Sequence, residues 1–187
     1  MRCPLRTPWL AVIPVLLAFA APVEAQQPAR AHVAVPTIVP HSEDVSTLDG
    51  VINAYYDVIS GPIGAPRQWS RDRTLYISGM RFVALSMLGD QQPAAEIMTH
   101  QEFVDATDSV FVHDGFFEKE IHRVTQRFGN IVHVFSTYES RLTPDGPVTE
   151  RGINSIELFW DGKRWWIASA IWDEERPDNP LPKEYLP

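Results

Sequence analysis

Cysteine is nearly absent: Cys3 is the single one in 187 residues. It lies in a segment expected to be removed, so the remaining chain is expected to form no disulfide, no cysteine-held metal site and no thiol nucleophile. Long apolar runs are scarce too. "WLAVIPVLLAFAA", Trp9 to Ala21, covers 13 residues, short of the roughly 20 that span a bilayer. Positive charge is in deficit, with 16 Lys+Arg against 24 Asp+Glu and a net charge of −8. Such a surface repels phosphate backbones and anionic membranes, so nucleic acid is not an expected partner. No Gly-rich phosphate loop and no Ser-centred nucleophile elbow occurs. His100, His113, His122 and His133 show no pair at helical ligand spacing, so neither a metal nor a cofactor is expected.

Among what is present, the N-terminus is the most legible. Arg2 and Arg6 precede the apolar run, and "VEA", Val23 to Ala25, sets small residues where a signal peptidase cuts. Residues 1–25 therefore read as a signal peptide, and the protein as exported, periplasmic or secreted, with no membrane attachment after cleavage. Removing 25 residues from 187 leaves 162, a length that suits one core. Arg2, Arg6 and Glu24 leave with the signal, so 14 bases face 23 acids and the net charge becomes −9. Residues 26–44 form a proline-rich leader, 45–176 the folded domain, and 177–187 a proline-rich tail expected to lie over the surface.

The domain opens with a helical period. Leu48, Val51, Ile52, Tyr55 and Ile59 share one face, Ser46 or Thr47 can cap the start, and Gly61-Pro62 stops it. A short helix follows near Trp69 to Leu75, then a strand over "MRFVAL", Met80 to Leu85. "THQEF" is a capping box with Thr99 as cap and Glu102 reaching back. Its helix should bury Phe103, Val104, Val110 and Phe111. Thereafter the period falls to two. Gly129-Asn130 and Asp161-Gly162 read as two-residue turns of two long hairpins. Helices first and an antiparallel meander after define an α+β chain.

Two-residue turns fix register, and register fixes faces. Phe128 then opposes Ile131, Arg123 opposes Ser136, and Ile121 opposes Tyr138. Leu158 opposes Trp165, Ile156 opposes Ile167, and Asn154 opposes Ser169. Pairing Tyr138 with Asn154 across the longer connection places apolar rows side by side. One face then carries Val134, Ile156, Leu158, Trp165, Ile167 and Ile171 around a polar group of Arg123, Ser136, Tyr138, Asn154 and Ser169. Ser155 turns the other way. The opposite face carries a charge ladder of Glu118, Arg141 and Arg151, together with His122, His133, Phe135, Phe159, Trp166 and Trp172. So much aromatic surface is costly to leave wet, and a homodimer through Phe135, Phe159, Trp166 and Trp172 is expected.

The segments "SGPIGAPRQW", "GFFEKEIHRV", "FGNIVHVFSTYESR" and "RGINSIELFWDGKRWWIASAIWD" resemble an exported bacterial branch of the nuclear-transport-factor-2-like superfamily, without assigned activity. That superfamily includes ketosteroid isomerase, scytalone dehydratase and the SnoaL-like cyclases. The resemblance spans roughly residues 45–175. It implies helices packed on a strongly curved antiparallel sheet that forms a cone, with one sheet face lining a ligand pocket. Catalytic members use an Asp and a Tyr, or an Asp–His pair, inside the cone. Here His122 and His133 fall on the wrong face, and no acid falls among the mid-sheet cavity candidates.

The expected pocket residues are Arg123, Ser136, Tyr138, Asn154, Ser169 and Tyr55, with Tyr56 as another residue able to close it. Arg123 offers a fixed fork of donors, Tyr138 a hydroxyl, and Asn154 a donor and an acceptor. The ligand such a patch fits is a small, partly apolar molecule bearing a carbonyl or carboxylate. The same residues also suit a self-satisfied internal network. Two other functions stay open. One is a cofactor-free lyase, isomerase or hydrolase in which Tyr138 polarises a carbonyl and Asp173 or Asp57 acts as base. The other is a protein-interaction module using the outer sheet face. Arg67, Trp69, Arg71 and Asp72 read as groups that pin a loop rather than guard a pocket mouth.

Overall fold

The computed structural model describes residues 31–88 and 92–187. The segment read as a signal peptide and the first residues of the leader lie outside them. Among the described residues no helix is long and apolar enough to cross a membrane.

The helical half follows its local signals. α1, a single turn over Ser42–Val45, falls mostly in residues read as leader, and α2 runs over Leu48–Asp57 as its period requires. Thr47 caps α2, its hydroxyl accepting the Gly50 N–H at 2.9 Å. Val51, Ile52 and Tyr55 are buried as the period requires, and Tyr56 is buried beside them. α3 is Trp69–Arg73, shorter than its apolar pattern, and α4 is His100–Asp114 with the complete Thr99/Glu102 capping box. α4 buries Phe103 and Val104. Val110, expected inside, is 53% exposed because the helix rests on the core mainly through its first half.

Six strands form one sheet: β1 (Tyr76–Leu88), β2 (Gln92–Met98), β3 (Phe117–Phe128), β4 (Ile131–Arg141), β5 (Glu150–Trp160) and β6 (Trp165–Glu174). Their order is β2-β1-β6-β5-β4-β3. Every pair is antiparallel except β1 with β6. β2 had no signal in the sequence: "QPAAEIM" has little β-branched or aromatic content, and its residues are mostly exposed at the sheet edge. α2 packs against β3 and β6, and α4 against β1 and β2. One sheet face is thereby enclosed. Ile52, Val104, Val132, Val134, Ile156 and Ile167 fill the core beneath it.

The first hairpin begins in the expected register. Phe128 opposes Ile131, Thr125 opposes Val134, and Arg123 opposes Ser136. Beyond Arg123 a bulge at Ile121 adds one residue to β3, so Glu120, not Ile121, opposes Tyr138, and Glu118 opposes Ser140. Glu118 is thus moved off the outer charge ladder to the enclosed face. Between β4 and β5 the register differs by two from the expected one. Ser136 faces Asn154 and Tyr138 faces Gly152, which keeps the faces as assigned.

The second hairpin departs more. Its turn is four residues, Asp161 to Arg164, because the Asp161 carboxylate accepts the N–H groups of Lys163 at 2.8 Å and Arg164 at 2.9 Å. Trp160 therefore opposes Trp165, and Leu158 opposes Ile167. A bulge at Ala168 then reverses the remaining side chains. Ser169 opposes Glu157 on the outer face, and Trp172 opposes Asn154 on the inner one. Ser169 is accordingly no neighbour of Asn154, Ile171 turns outward, and Trp172 leaves the proposed dimer face.

The ends of the described chain are tied down. Val33 donates to Asp105 at 2.9 Å, and Arg73 donates to the Val35 carbonyl at 2.7 Å, which lays the leader along α4 and α3. The tail turns back over the outer face as a short 3₁₀ segment, Lys183–Tyr185. There the Thr137 hydroxyl donates to the Tyr185 carbonyl at 2.7 Å, and the Tyr185 ring lies 5.3 Å from Phe135. The loop after α2 is pinned as expected. Arg67 donates to the carbonyls of Gly61 and Ala65, and Arg71 bridges Asp44 and Asp57. Asp72, fully buried, takes the Tyr76 hydroxyl.

Candidate functional site

Between α2, α4 and the enclosed sheet face lies a cavity of about 200 Å³. Its apolar walls are Ile59, Phe103, Phe111, Phe116 and Trp172, and its polar lining is Tyr55, Thr107, Glu118, Tyr138, Glu150 and Asn154. Three of the expected residues, Tyr55, Tyr138 and Asn154, therefore meet there. Two carboxyls join them that the sequence reading had placed elsewhere or passed over.

Asn154 organises this floor. Its carbonyl accepts from the Tyr55 hydroxyl at 3.3 Å, and its amide donates to the Tyr56 hydroxyl at 3.2 Å. The Tyr56 hydroxyl meets Ser136 Oγ at 2.7 Å, and Ser136 in turn donates to Glu120. Arg123 closes the chain, with Nη2 2.6 Å from Glu120 and Nη1 2.7 Å from Asp49 of α2. Ser136 is thus two hydrogen bonds behind the cavity wall, through Tyr56 to Asn154. Arg123 lies further out, its fork taken by two carboxylates, and is not among the lining residues. Tyr138 is spoken for as well, donating to Glu150 at 2.9 Å.

Glu118 is the unusual group. Burial among aromatic walls, reinforced by the Glu150 charge, raises its carboxyl from the usual 4.5 to about 8, while a bond from Asn154 pulls the other way. At neutral pH it stands as a neutral acid able to donate. Burial, with Tyr56 and Glu118 adding to it, holds the Tyr55 hydroxyl well above its ordinary range. Burial likewise raises Tyr56 and Tyr138, and the Glu118 charge raises both further. All three remain protonated donors. The acids expected as bases lie elsewhere: Asp173 is held low by the Arg176 guanidinium, and Asp57 pairs with Arg71 on the surface. Among the described residues no group of three or more His, Cys, Asp or Glu is placed to hold a metal.

The sequence could have offered Glu118 and Glu120, two residues apart in "FEKE", as carboxyls sharing a face. Only the bulge at Ile121 decides which face that is. Trp172 was masked in the same way by the bulge at Ala168. A second groove, about 310 Å³, lies outside the sheet beneath the tail, between Phe135, Ile153, Ile171, Leu181 and Tyr185. Its carboxyls, Asp173, Glu174 and Glu175, all come from one stretch of chain, and Arg176 and Arg151 already pair with Asp173 and Glu175.

Fold and cavity together describe an α+β domain whose sheet encloses a small, mostly apolar pocket with a hydrogen-bonding floor. Solved structures similar to it are nuclear-transport-factor-2-like proteins and ketosteroid-isomerase-like proteins, the superfamily that the sequence resembles. A nuclear-transport-factor-2-like protein of unknown function from Methylobacillus flagellatus is 11% identical, with TM-score 0.46, over 70% of this chain and 95% of its own. Another of unknown function, from Silicibacter pomeroyi, is 13% identical with TM-score 0.44, over 70% of this chain and 94% of its own. A candidate ketosteroid isomerase from Parabacteroides distasonis is 13% identical with TM-score 0.43, over 69% and 88%. No family model matches the chain. No curated protein matches it either.

Proposed function

We propose that this domain binds a small, partly apolar, carbonyl-bearing molecule in the interior cavity, and that it does so as an exported protein. The supporting observation is Glu118, a neutral acid at pH 7 set among aromatic walls beside Tyr138 and Asn154. A protonated carboxyl donates a hydrogen bond to a carbonyl oxygen, and the low-dielectric wall strengthens it. The volume fits one ring, since a cavity of about 150 Å³ holds benzene. A carboxylate-bearing ligand has less support, because the lining offers two carboxyls and no cation, with Arg123 already paired.

The test is thermal shift and Trp fluorescence with cyclohexanone and benzoate at pH 6 and pH 9. Cyclohexanone should stabilise the protein at pH 6 and less at pH 9, where Glu118 is ionised. Benzoate should not. No shift with any cyclic ketone at millimolar concentration would sink the reading. Export rests on the pattern from Arg2 to Ala25, and fractionation of expressing cells checks it.

A second reading, a cofactor-free isomerase or lyase, is favoured by the same carboxyl. A group that titrates near pH 8 inside the cavity can take a proton from carbon and return it, with Tyr55 or Tyr138 supplying a donor. Exchange of cyclohexanone α-hydrogens for deuterium, followed by NMR, decides it. Catalysis requires exchange that rises through about pH 8 and disappears in Glu118→Gln. Exchange equal to that in buffer leaves the domain as a binder.

A further inference from the structure

The leader, α3, the start of β1 and the β5–β6 turn border a groove of about 460 Å³, separate from the interior cavity. Its cationic and polar lining includes Arg73, Arg164, His100, Thr37, Ser70 and Ser78, with Trp166 as an apolar wall. No Asp or Glu lines it. That is not the default in a chain of net charge −8. The interior cavity carries Glu118 and Glu150, and the outer groove Asp173 and Glu174.

The two arginines, like Arg67 and Arg127, are held by neutral oxygens and not by a carboxylate. Arg71, Arg123, Arg141, Arg151 and Arg176 each sit on a carboxylate. Arg73 and Arg164 are held by neutral oxygens alone. Arg73 donates to the Val35 carbonyl at 2.7 Å and the Gln101 amide oxygen at 3.0 Å. Arg164 donates to the carbonyls of Thr74 and of Trp165, the latter at 3.1 Å, and stacks 3.7 Å over the Trp166 ring. These bonds leave Nε of Arg73 and Nη1 of Arg164 without a protein acceptor among the described residues. Burial works against the Arg164 charge and pulls its pKa down, with Asp161 opposing.

Two acids border the groove without lining it. Asp161 is exposed at the turn, engaged with the Trp166 indole N–H at 2.7 Å. Asp72 lies buried beneath, shared between His100 at 2.9 Å and the Tyr76 hydroxyl at 2.7 Å. Two guanidiniums held by carbonyl and amide oxygens, each with a spare donor, line one groove that no carboxylate lines, a donor set that suits an oxyanion.

We infer that this groove binds a small oxyanion, the carboxylate or phosphate group of a polar organic molecule. Its donors come from Arg73 and Arg164, with hydroxyls of Thr37, Ser70 and Ser78 around them. The site is independent of the interior cavity.

The experiment titrates the isotopically labelled protein with sodium phosphate, and separately with sodium acetate, against sodium chloride at matched ionic strength and pH 7. Saturable shifts of the Trp166 indole N–H and the Arg73 and Arg164 Nε–H signals, absent with chloride, are expected. Comparison of the phosphate and acetate arms identifies the preferred group. Arg73→Gln and Arg164→Gln, each checked for folding by circular dichroism, should weaken binding at least tenfold while cyclohexanone binding stays unchanged. Shifts no larger than with chloride, shifts centred on other residues, or unaltered binding in both folded variants would overturn the assignment. Should a variant fail to fold, the localisation of the wild-type shifts decides alone.

Discussion

Glu118 carries a stability cost with a definite pH window. Its carboxyl is raised from 4.5 to about 8 in the folded chain, so between those values the folded state keeps a proton that the unfolded state has lost. Folding there takes up a proton, and stability falls as pH rises from about 4.5 to about 8, then levels off. Glu118→Gln, which mimics the neutral acid, should remove that part of the slope and exceed wild type in melting temperature above pH 8. Melting curves from pH 5 to pH 9 check it, and an unchanged slope would remove the donor on which the proposed ligand depends. Arg123 is tested by a different contrast. Arg123→Met leaves Glu120 without its cation and should cost roughly 1–3 kcal/mol in urea unfolding. Because Arg123 lies outside the cavity lining, cyclohexanone affinity should stay within a factor of two, whereas a ligand-touching Arg would lose it.

Single inserted residues act at the scale of the strand. Ile121 in β3 and Ala168 in β6 each have no partner in the ladder, and each reverses the side chains beyond it. Such bulges cannot be read from hairpin turns, because alternation continues on either side and only the packing of the whole sheet selects the slip. Deleting Ala168 would force Ser169 inward and Trp172 outward. Trp172 packs on Phe82 and Phe103, with ring centroids 6.4 Å and 6.1 Å away, so that deletion should cost several kcal/mol, about the 3–5 of a lost buried aromatic. Near-ultraviolet circular dichroism and urea unfolding measure it, and a native-like spectrum with undiminished stability would refute the role given to the bulge. The caps of α2 and α4, by contrast, were legible in the sequence, whereas the single turn of α1 was not. Thr47 and the Thr99/Glu102 box work through neighbours three residues away, and Thr99→Ala should cost about 1 kcal/mol.

For the whole molecule, the tail changes what the outer face offers. Tyr185 rests on Phe135, Trp172 points inward, and Trp166 is covered by Arg164 and bonded to Asp161, so three of the four aromatics proposed for a homodimer face are engaged within the chain. The homodimer remains a proposal, now centred on Phe159 and Ile171, with Ile171 41% exposed. Sedimentation at low micromolar concentration tests it: a dimer supports the proposal, and a monomer removes it. Truncation after Asn179 should uncover Phe135 and, if this face associates, raise the dimer fraction.

The sequence by itself determined what depends on near neighbours: helix caps, the period change from 3.6 to 2, and the Gly129-Asn130 turn. It also paired Arg123 with Ser136 correctly, since that contact lies close to the turn. Only the tertiary structure decided which side chains beyond the bulges enter the cavity, and that β2 forms an edge. It also gave Arg123 to Glu120 and Asp49, leaving the floor to Asn154, Tyr55 and Glu118. The reason is physical. A strand's faces follow from a count of residues, and one unpaired residue, chosen by contacts distant in sequence, inverts that count.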